Sequence, residues 1–248
     1  NFCEKLVNEK IMKISRRSKY IIFHFKNKFL LIHLGMTGKL ILMRQKSKKF
    51  FKTSFYYNLN IIPKHNHVYF YLSNGFILIY NDVRRFGFIK FYKNIQVDKI
   101  TFLKKLGVEP LTKFFNFNYF QNFIKHRKKN VKNLLMDQTF TSGVGNIYAN
   151  EALYMSKVNP LRACSSLKKK EIKKIILNIK LVLKFAISRG GSSIRDFKNT
   201  SGKIGDFQRF FKVYGKENKN CSRISCKGKI KRTTISSRSS FFCDVCQR

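Results

Sequence analysis

The 248-residue chain is long enough for two modest cores and a small appendage. Its formal net charge is +40, from 52 Lys and Arg against 12 Asp and Glu. Charge of that size points to a polyanionic partner, nucleic acid first and an anionic membrane surface second. Its 26 Phe and 11 Tyr exclude a disordered basic tail, and no apolar run approaches the ~20 residues of a membrane span. Abundant Lys, Asn, Ile and Phe also fit an AT-rich coding bias, which lowers the weight of charge alone.

The first hundred residues read as strands. Tyr20 to Phe25 and Phe29 to Leu34 flank a Lys-Asn-Lys turn and predict a hairpin. Val68 to Leu72 and Phe76 to Tyr80 flank Ser73-Asn74-Gly75, where Asn-Gly predicts a tight primed turn. A further strand is predicted from Phe86 to Tyr92, and the set implies an antiparallel sandwich. From about Leu106 the periodicity turns helical. One or two helices are predicted over Asn118 to Met136 and another over Asn146 to Val158. The longest runs from Ser166 to Arg189, with Ile172, Ile175, Ile176, Ile179, Leu183 and Ala186 on one face. Ser166 is the expected N-cap and Gly190-Gly191 the stop. The Lys-rich opposite face reads as solvated surface. The expected class is therefore α+β. The domains are a β-sandwich over 1–104, a helical domain over 105–215 and a cysteine-framed finger over 216–248.

Four of six cysteines close the chain as Cys221-x4-Cys226-x16-Cys243-x2-Cys246. Two short-spaced pairs can bring four thiolates to the corners of a tetrahedron, the geometry Zn²⁺ takes in structural sites. Lys229 to Phe242 is the right length for a hairpin between the two turns. Four thiolates leave no open position for water, so one structural zinc ion is expected. The metal would supply much of the folding energy of so small a unit. This cysteine usage fits a reduced compartment better than a secreted disulfide framework.

Several motifs then fall in order: Arg17-Ser-Lys-Tyr20, His33-Leu-Gly-Met-Thr-Gly38, Asp82-Val-Arg-Arg-Phe-Gly87, Leu106-Gly-Val-Glu-Pro-Leu111, Lys132-Asn-Leu-Leu-Met-Asp-Gln138 and Gly143-Val-Gly-Asn-Ile-Tyr-Ala-Asn-Glu-Ala152. Gly190-Gly-Ser-Ser-Ile-Arg-Asp-Phe197, Val213-Tyr-Gly215 and Arg238-Ser-Ser-Phe-Phe-Cys243-Asp-Val-Cys246-Gln-Arg complete the series. Together they resemble the bacterial formamidopyrimidine-DNA glycosylases over nearly the whole chain. The resemblance implies a helix–two-turns–helix element and base-excision repair. It implies a monomeric, cytoplasmic, nucleoid-associated enzyme acting on double-stranded DNA with oxidised or abasic sites. Such an enzyme flips an oxidised purine into the cleft between its main domains, cleaves the glycosidic bond and nicks the strand by β,δ-elimination.

Residue by residue, Met36, Arg84 and Phe86 match the family's intercalating triad. An apolar side chain, an Arg able to pair with the orphaned base and an aromatic wedge suit the gap left by a flipped nucleotide. Lys19 matches the acid of the β-elimination step. Arg238 matches the finger Arg that grips phosphates and serves the δ-elimination. Asn146 with its Gly143-Val-Gly145 turn, and Lys132, match groups on the phosphates beside the lesion. His65 and Lys128 match backbone contacts, and Lys203 matches the loop that closes over the damaged base. The resemblance also implies an N-terminal Pro followed by Glu as nucleophile and acid, with Asn1 aligning a few tens of residues further in. Pro63, Pro110 and Pro160 are internal tertiary amides that cannot attack, and Glu4 does not match the catalytic Glu, so an N-terminally truncated sequence is expected. Val83 and Ile204 stand where proline is common, and Asp206 where an aromatic is. Three rivals remain at this point: a catalytically inactive binder of damaged DNA, an endonuclease VIII-like glycosylase for oxidised pyrimidines, and an RNA-binding zinc-ribbon protein. The Arg–Phe pairing leans toward purines.

Overall fold

The computed structural model describes residues 4–49, 61–93, 95–192 and 206–248. The chain divides into two compact units, one up to Lys104 and one made of Lys105–Ser192 with the C-terminal residues.

The first unit is an antiparallel sandwich. Strands β1 (Lys13–Arg17), β2 (Tyr20–His24), β3 (Lys28–His33) and β7 (Phe88–Lys93) form one sheet in that order. Strands β4 (Lys39–Arg44), β6 (Phe76–Asn81) and β5 (Asn66–Tyr71) form the other. Period-two alternation sends Phe23, Leu30 and Ile32 of one sheet against Leu40, Phe70 and Leu78 of the other. The β2–β3 hairpin stands as expected, with Ile21 opposite Ile32 and Phe23 opposite Leu30. The β5–β6 connection is not a primed two-residue turn. Gly75 N–H donates to Leu72 O and Leu72 N–H to Phe76 O, with left-handed φ at Gly75 and not at Asn74. That is a three-residue loop with glycine in its bulge position. The strand expected from Phe86 begins at Phe88, because the two residues before it are drawn into a loop described below.

The second unit is helical. Its helices are α2 (Phe117–Ile124), α3 (Val131–Met136), α4 (Asn146–Ser156) and α5 (Lys169–Ser188), after a short α1 (Thr101–Lys104) that ends the first unit. The helical stretch expected over Asn118 to Met136 breaks at the basic run 125–129. Asn130 restarts it by accepting Asn133 N–H on its side chain. Helix α5 starts at Lys169, with Lys168 and not Ser166 as its N-cap. Lys168 N–H donates to Glu171 Oε2 at 2.7 Å, while Ser166 belongs to a preceding 3₁₀ turn. Helix α4 is buried on nearly every side, so its apolar residues form no stripe. It ends at Lys157, which takes the left-handed cap conformation. Phe140 sits edge-on to Phe115 and Phe120 and stacks on Tyr119, closing the core above α2. The finger, β8 (Ile230–Ile235) paired with β9 (Arg238–Cys243), packs in this unit through Val213, Ile230 and Phe241. Among the described residues no helix is long and apolar enough to cross a membrane.

Candidate nucleic-acid interface and metal centre

In the sandwich unit, a wholly buried carboxylate organises two loops. Asp82 Oδ1 accepts Thr37 Oγ1–H at 2.5 Å and Arg84 N–H at 3.3 Å. Its Oδ2 accepts Tyr80 Oη–H at 3.1 Å and Gly87 N–H at 2.9 Å. Thr37 Oγ1 in turn accepts Arg84 N–H at 3.0 Å. Burial opposes charge on Asp82, but hydrogen bonds from Thr37, Gly87, Tyr80 and Arg84 outweigh it and hold its pKa below the usual carboxylate value. Burial first, then the Asp82 charge and the hydrogen bond to it, push the Tyr80 phenol up. A Cβ on Gly35 would lie 2.6 Å from Gly87 N, so the turn 34–38 touches loop 82–87 backbone to backbone only because Gly35 has no side chain.

This frame presents what the sequence singled out. Met36 is 62% exposed and Phe86 57%, values out of keeping with core residues of their size. Arg84 lays its guanidinium 4.6 Å from the Phe86 ring centroid. Arg85 between them adopts a left-handed φ of 56°, which turns the chain so that Phe86 leaves the sheet. Strand pairing resumes only at Phe88. Lys19 is exposed in the β1–β2 turn, after Ser18 at φ 55°. Beside it is His33, which the sequence reading passed over. Burial first, and the Lys19 charge second, push its pKa down. Gly35 N–H donates to its Nδ1, so the neutral ring carries its proton on Nε2. His33 was hidden because an isolated His inside an apolar strand looks like packing, and it does stack on Phe88. His65 is half-buried, and its carbonyl accepts Asp82 N–H at 3.0 Å, which ties it to the same loop.

In the helical unit, the turns between α3 and α4 are stapled by one side chain. Gln138 Oε1 accepts Gly143 N–H at 2.8 Å, and its Nε2 donates to Val144 O and Met136 O. Gly143 sits at φ 89°, and Asn146 opens α4 with its Nδ2 donating to Ser239 O at 3.0 Å. Lys132 has no exposed surface at all. Its ammonium donates to Ser239 O at 3.0 Å and Ser240 Oγ at 2.5 Å. Burial, then the nearby Arg238 charge, lowers its pKa to about 8. Expected on a phosphate, Lys132 instead underpins the finger strand that carries Arg238, since a buried ammonium must find its acceptors inside the protein. Arg238 itself is exposed at the start of β9. It follows a two-residue turn, Ser236-Ser237, with φ of 47° and 59°, and Asn133 Nδ2 holds that turn through Ser236 Oγ. Lys128 is exposed in the basic run before α3. Lys203 lies outside the described residues.

The four finger cysteines converge. All four sulfurs lie within 4.8 Å of one another, with Cys221–Cys246 at 3.8 Å and Cys226–Cys243 at 3.6 Å. A tetrahedron with Zn–S bonds of about 2.3 Å has edges of about 3.8 Å, so the donor set fits a zinc ion. Gly228 is required beside it, because a Cβ there would lie 2.6 Å from Cys243 Sγ.

Residues 1–89 match the formamidopyrimidine-DNA glycosylase N-terminal domain, and residues 106–198 match the formamidopyrimidine-DNA glycosylase H2TH domain. A formamidopyrimidine-DNA glycosylase of Rickettsia massiliae is 39% identical over 244 residues, covering 98% of this chain and 82% of the relative. One from Roseobacter denitrificans is 37% identical over 245 residues, covering 98% and 85%. Among solved structures, the Lactococcus lactis Fpg in complex with DNA containing an abasic site aligns with a TM-score of 0.82 at 33% identity, covering 99% of this chain and 84% of that one. The same Lactococcus protein with DNA containing an oxidised pyrimidine gives 0.80 at 32% identity, covering 97% and 82%. These likenesses define the class as a DNA glycosylase of base-excision repair built on a helix–two-turns–helix element. Within that class, the chain belongs to the formamidopyrimidine-DNA glycosylase family.

Proposed function

We propose that this protein removes oxidised purines, 8-oxoguanine and formamidopyrimidines, from double-stranded DNA as a monomer and nicks the resulting abasic strand by β,δ-elimination. The observation that supports this reading most is the exposed Met36–Arg84–Phe86 group on its buried Asp82 frame. Extruding a nucleotide costs a few kcal/mol of stacking and pairing. A wedge already fixed in place repays that cost without ordering itself at the moment of binding. Arg84 stays beside Phe86, so one insertion delivers a cation to the orphaned base and an aromatic face to the neighbouring stack. Asn146, Arg238, His65 and Lys128 take phosphates and fix register without reading sequence. Base release needs an amine that attacks the sugar carbon as the glycosidic bond breaks, the role the family resemblance gives to an N-terminal proline. On the resulting Schiff base Lys19 would donate a proton in the β-elimination step, and Arg238 would steady phosphate charge in the δ-elimination. Lys132 serves DNA through Arg238 by anchoring Ser239 and Ser240. The family resemblance gives Lys203 a part in recognising the damaged base. One structural zinc ion held by Cys221, Cys226, Cys243 and Cys246 fixes the finger and supplies no reacting ligand position.

The test is binding to a duplex with a central tetrahydrofuran abasic site and to the same duplex intact, at fixed salt, for wild type and a Met36→Ala/Arg84→Ala/Phe86→Ala variant. The variant should lose the preference for the abasic duplex while keeping its affinity for the intact one. Equal weakening on both duplexes would show that these residues act only as charge or packing.

A further inference from the structure

Helix α4 meets the finger along one stripe. Asn146, Asn150 and Tyr154 are spaced i, i+4, i+8 and so share a face. Each makes polar contact with a different part of the finger. Asn146 Nδ2 donates to Ser239 O at 3.0 Å, and Asn150 Oδ1 accepts Phe241 N–H at 2.7 Å. The Tyr154 hydroxyl lies 3.3 Å from Cys221 Sγ, within one of the two cysteine turns. Tyr154 is 3% exposed, so solvent does not compete for its hydroxyl. Ser222 Oγ, at 3.2 Å, is its other neighbour. Arg223, two residues past Cys221, lies over the Tyr154 ring at 4.5 Å and donates to Tyr154 O, which clamps the ring from the finger side.

Four thiolates on one zinc ion leave two net negative charges in a small, half-buried volume. Each thiolate is stabilised by the donors pointed at it, and a donor outside the first shell changes both metal affinity and sulfur electron density. We propose that Tyr154 is an outer-sphere hydrogen-bond donor to the zinc-bound Cys221 thiolate, so that the repair helix itself sets the stability of the finger's metal site. Ser222 Oγ accepts nothing the site depends on, because the hydroxyl proton goes to the charged sulfur in preference to a neutral oxygen. The stripe then has a purpose beyond packing. Asn146 and Asn150 place β9, and with it Arg238, while Tyr154 locks the metal turn to the same rigid rod.

This inference rests on the zinc reading, and the experiment separates the two. Wild type, Tyr154→Phe and Ser222→Ala are purified as full chains, and two quantities are measured. One is the rate of zinc transfer to an excess of a colorimetric chelator. The other is the thiolate-to-metal charge-transfer band of the Co²⁺-substituted protein. Tyr154→Phe keeps the ring, its packing and the Arg223 contact, so circular dichroism and the melting temperature verify its fold. It should release zinc about tenfold faster or more, the lower end of the range for outer-shell partners. It should also shift the charge-transfer band to lower energy, since an unbonded thiolate gives up its electrons more easily. Ser222→Ala should match wild type in both. Identical release rates and band positions for wild type and Tyr154→Phe would overturn the proposal. A wild-type chain that binds neither zinc nor Co²⁺ would overturn the zinc reading and this inference with it.

Discussion

Asp82→Asn isolates the frame from the wedge it carries. The substitution keeps size and shape but turns one carboxylate oxygen into an amide N–H₂. Whichever way the amide is turned, it faces two donors: Thr37 Oγ1–H with Arg84 N–H, or Tyr80 Oη–H with Gly87 N–H. A hydroxyl can rotate and accept, but a backbone N–H cannot. Turned toward Tyr80 and Gly87, the amide would strip Gly87 N–H of its acceptor, at about 1–3 kcal/mol. It turns toward Thr37 and Arg84 instead, where Arg84 N–H keeps Thr37 Oγ1 and the loss is that of the charged acceptor. The expected destabilisation is about 1–3 kcal/mol, read by urea unfolding. Loosening even one backbone residue of loop 82–87 adds about 1–2 kcal/mol of ordering to each insertion. The abasic-over-intact preference should therefore fall roughly tenfold, about 1.4 kcal/mol. Fluorescence anisotropy on both duplexes reads this directly. The pH dependence has a fixed sign. The folded pKa of Asp82 is depressed, so its contribution is complete above the unfolded value of about 3.9 and drains away as pH falls below it. A variant that unfolds more easily yet keeps its full abasic preference would refute the claim that this carboxylate positions the wedge.

Other outcomes follow from the same geometry. Gly228→Ala places a Cβ 2.6 Å from Cys243 Sγ, so zinc content by atomic absorption should fall well below one per chain. Lys132→Met removes a buried ammonium whose pKa is lowered to about 8 against about 10.4 unfolded. Wild-type stability should therefore rise between about pH 8 and 10.4 relative to the variant, and a flat difference in the two stability profiles would contradict the burial of the amine. Replacing Ser236-Ser237 with Asn-Gly suits two left-handed positions, and the melting temperature should increase by an amount equivalent to about 1 kcal/mol. A decrease would mean that the Asn133 contact to Ser236 outweighs turn strain.

The sequence disclosed elements in proportion to how plainly one physical signal dominated. The β2–β3 hairpin and α5 carry clean apolar periodicity, and both stand where expected apart from the α5 start. Strand β1, Lys-Ile-Ser-Arg-Arg, is a polar edge strand that no alternation betrays. The Phe86 boundary was missed because a tertiary interaction, Asp82 to Gly87, overrides a local strand preference. At the metal centre, cysteine spacing alone was enough, and the sulfurs converge as it implies. At the wedge, Met36 and Phe86 looked like core by composition, and only the family likeness marked them for exposure. Asp82 carried a faint signal, as one of only 12 acidic residues in a strongly basic chain, directly after an apolar strand. Lys132 carried none. A lysine in sequence reads as surface, and only the fold shows that Ser239 and Ser240 receive its ammonium.

The most direct test is single-turnover incision of otherwise identical duplexes by the full-length gene product, one carrying 8-oxoguanine, one thymine glycol and one undamaged. The account predicts fastest cleavage at 8-oxoguanine, with phosphate left on both sides of the gap as β,δ-elimination requires. Cleavage confined to thymine glycol, or none at any lesion despite tight abasic-site binding, would contradict it.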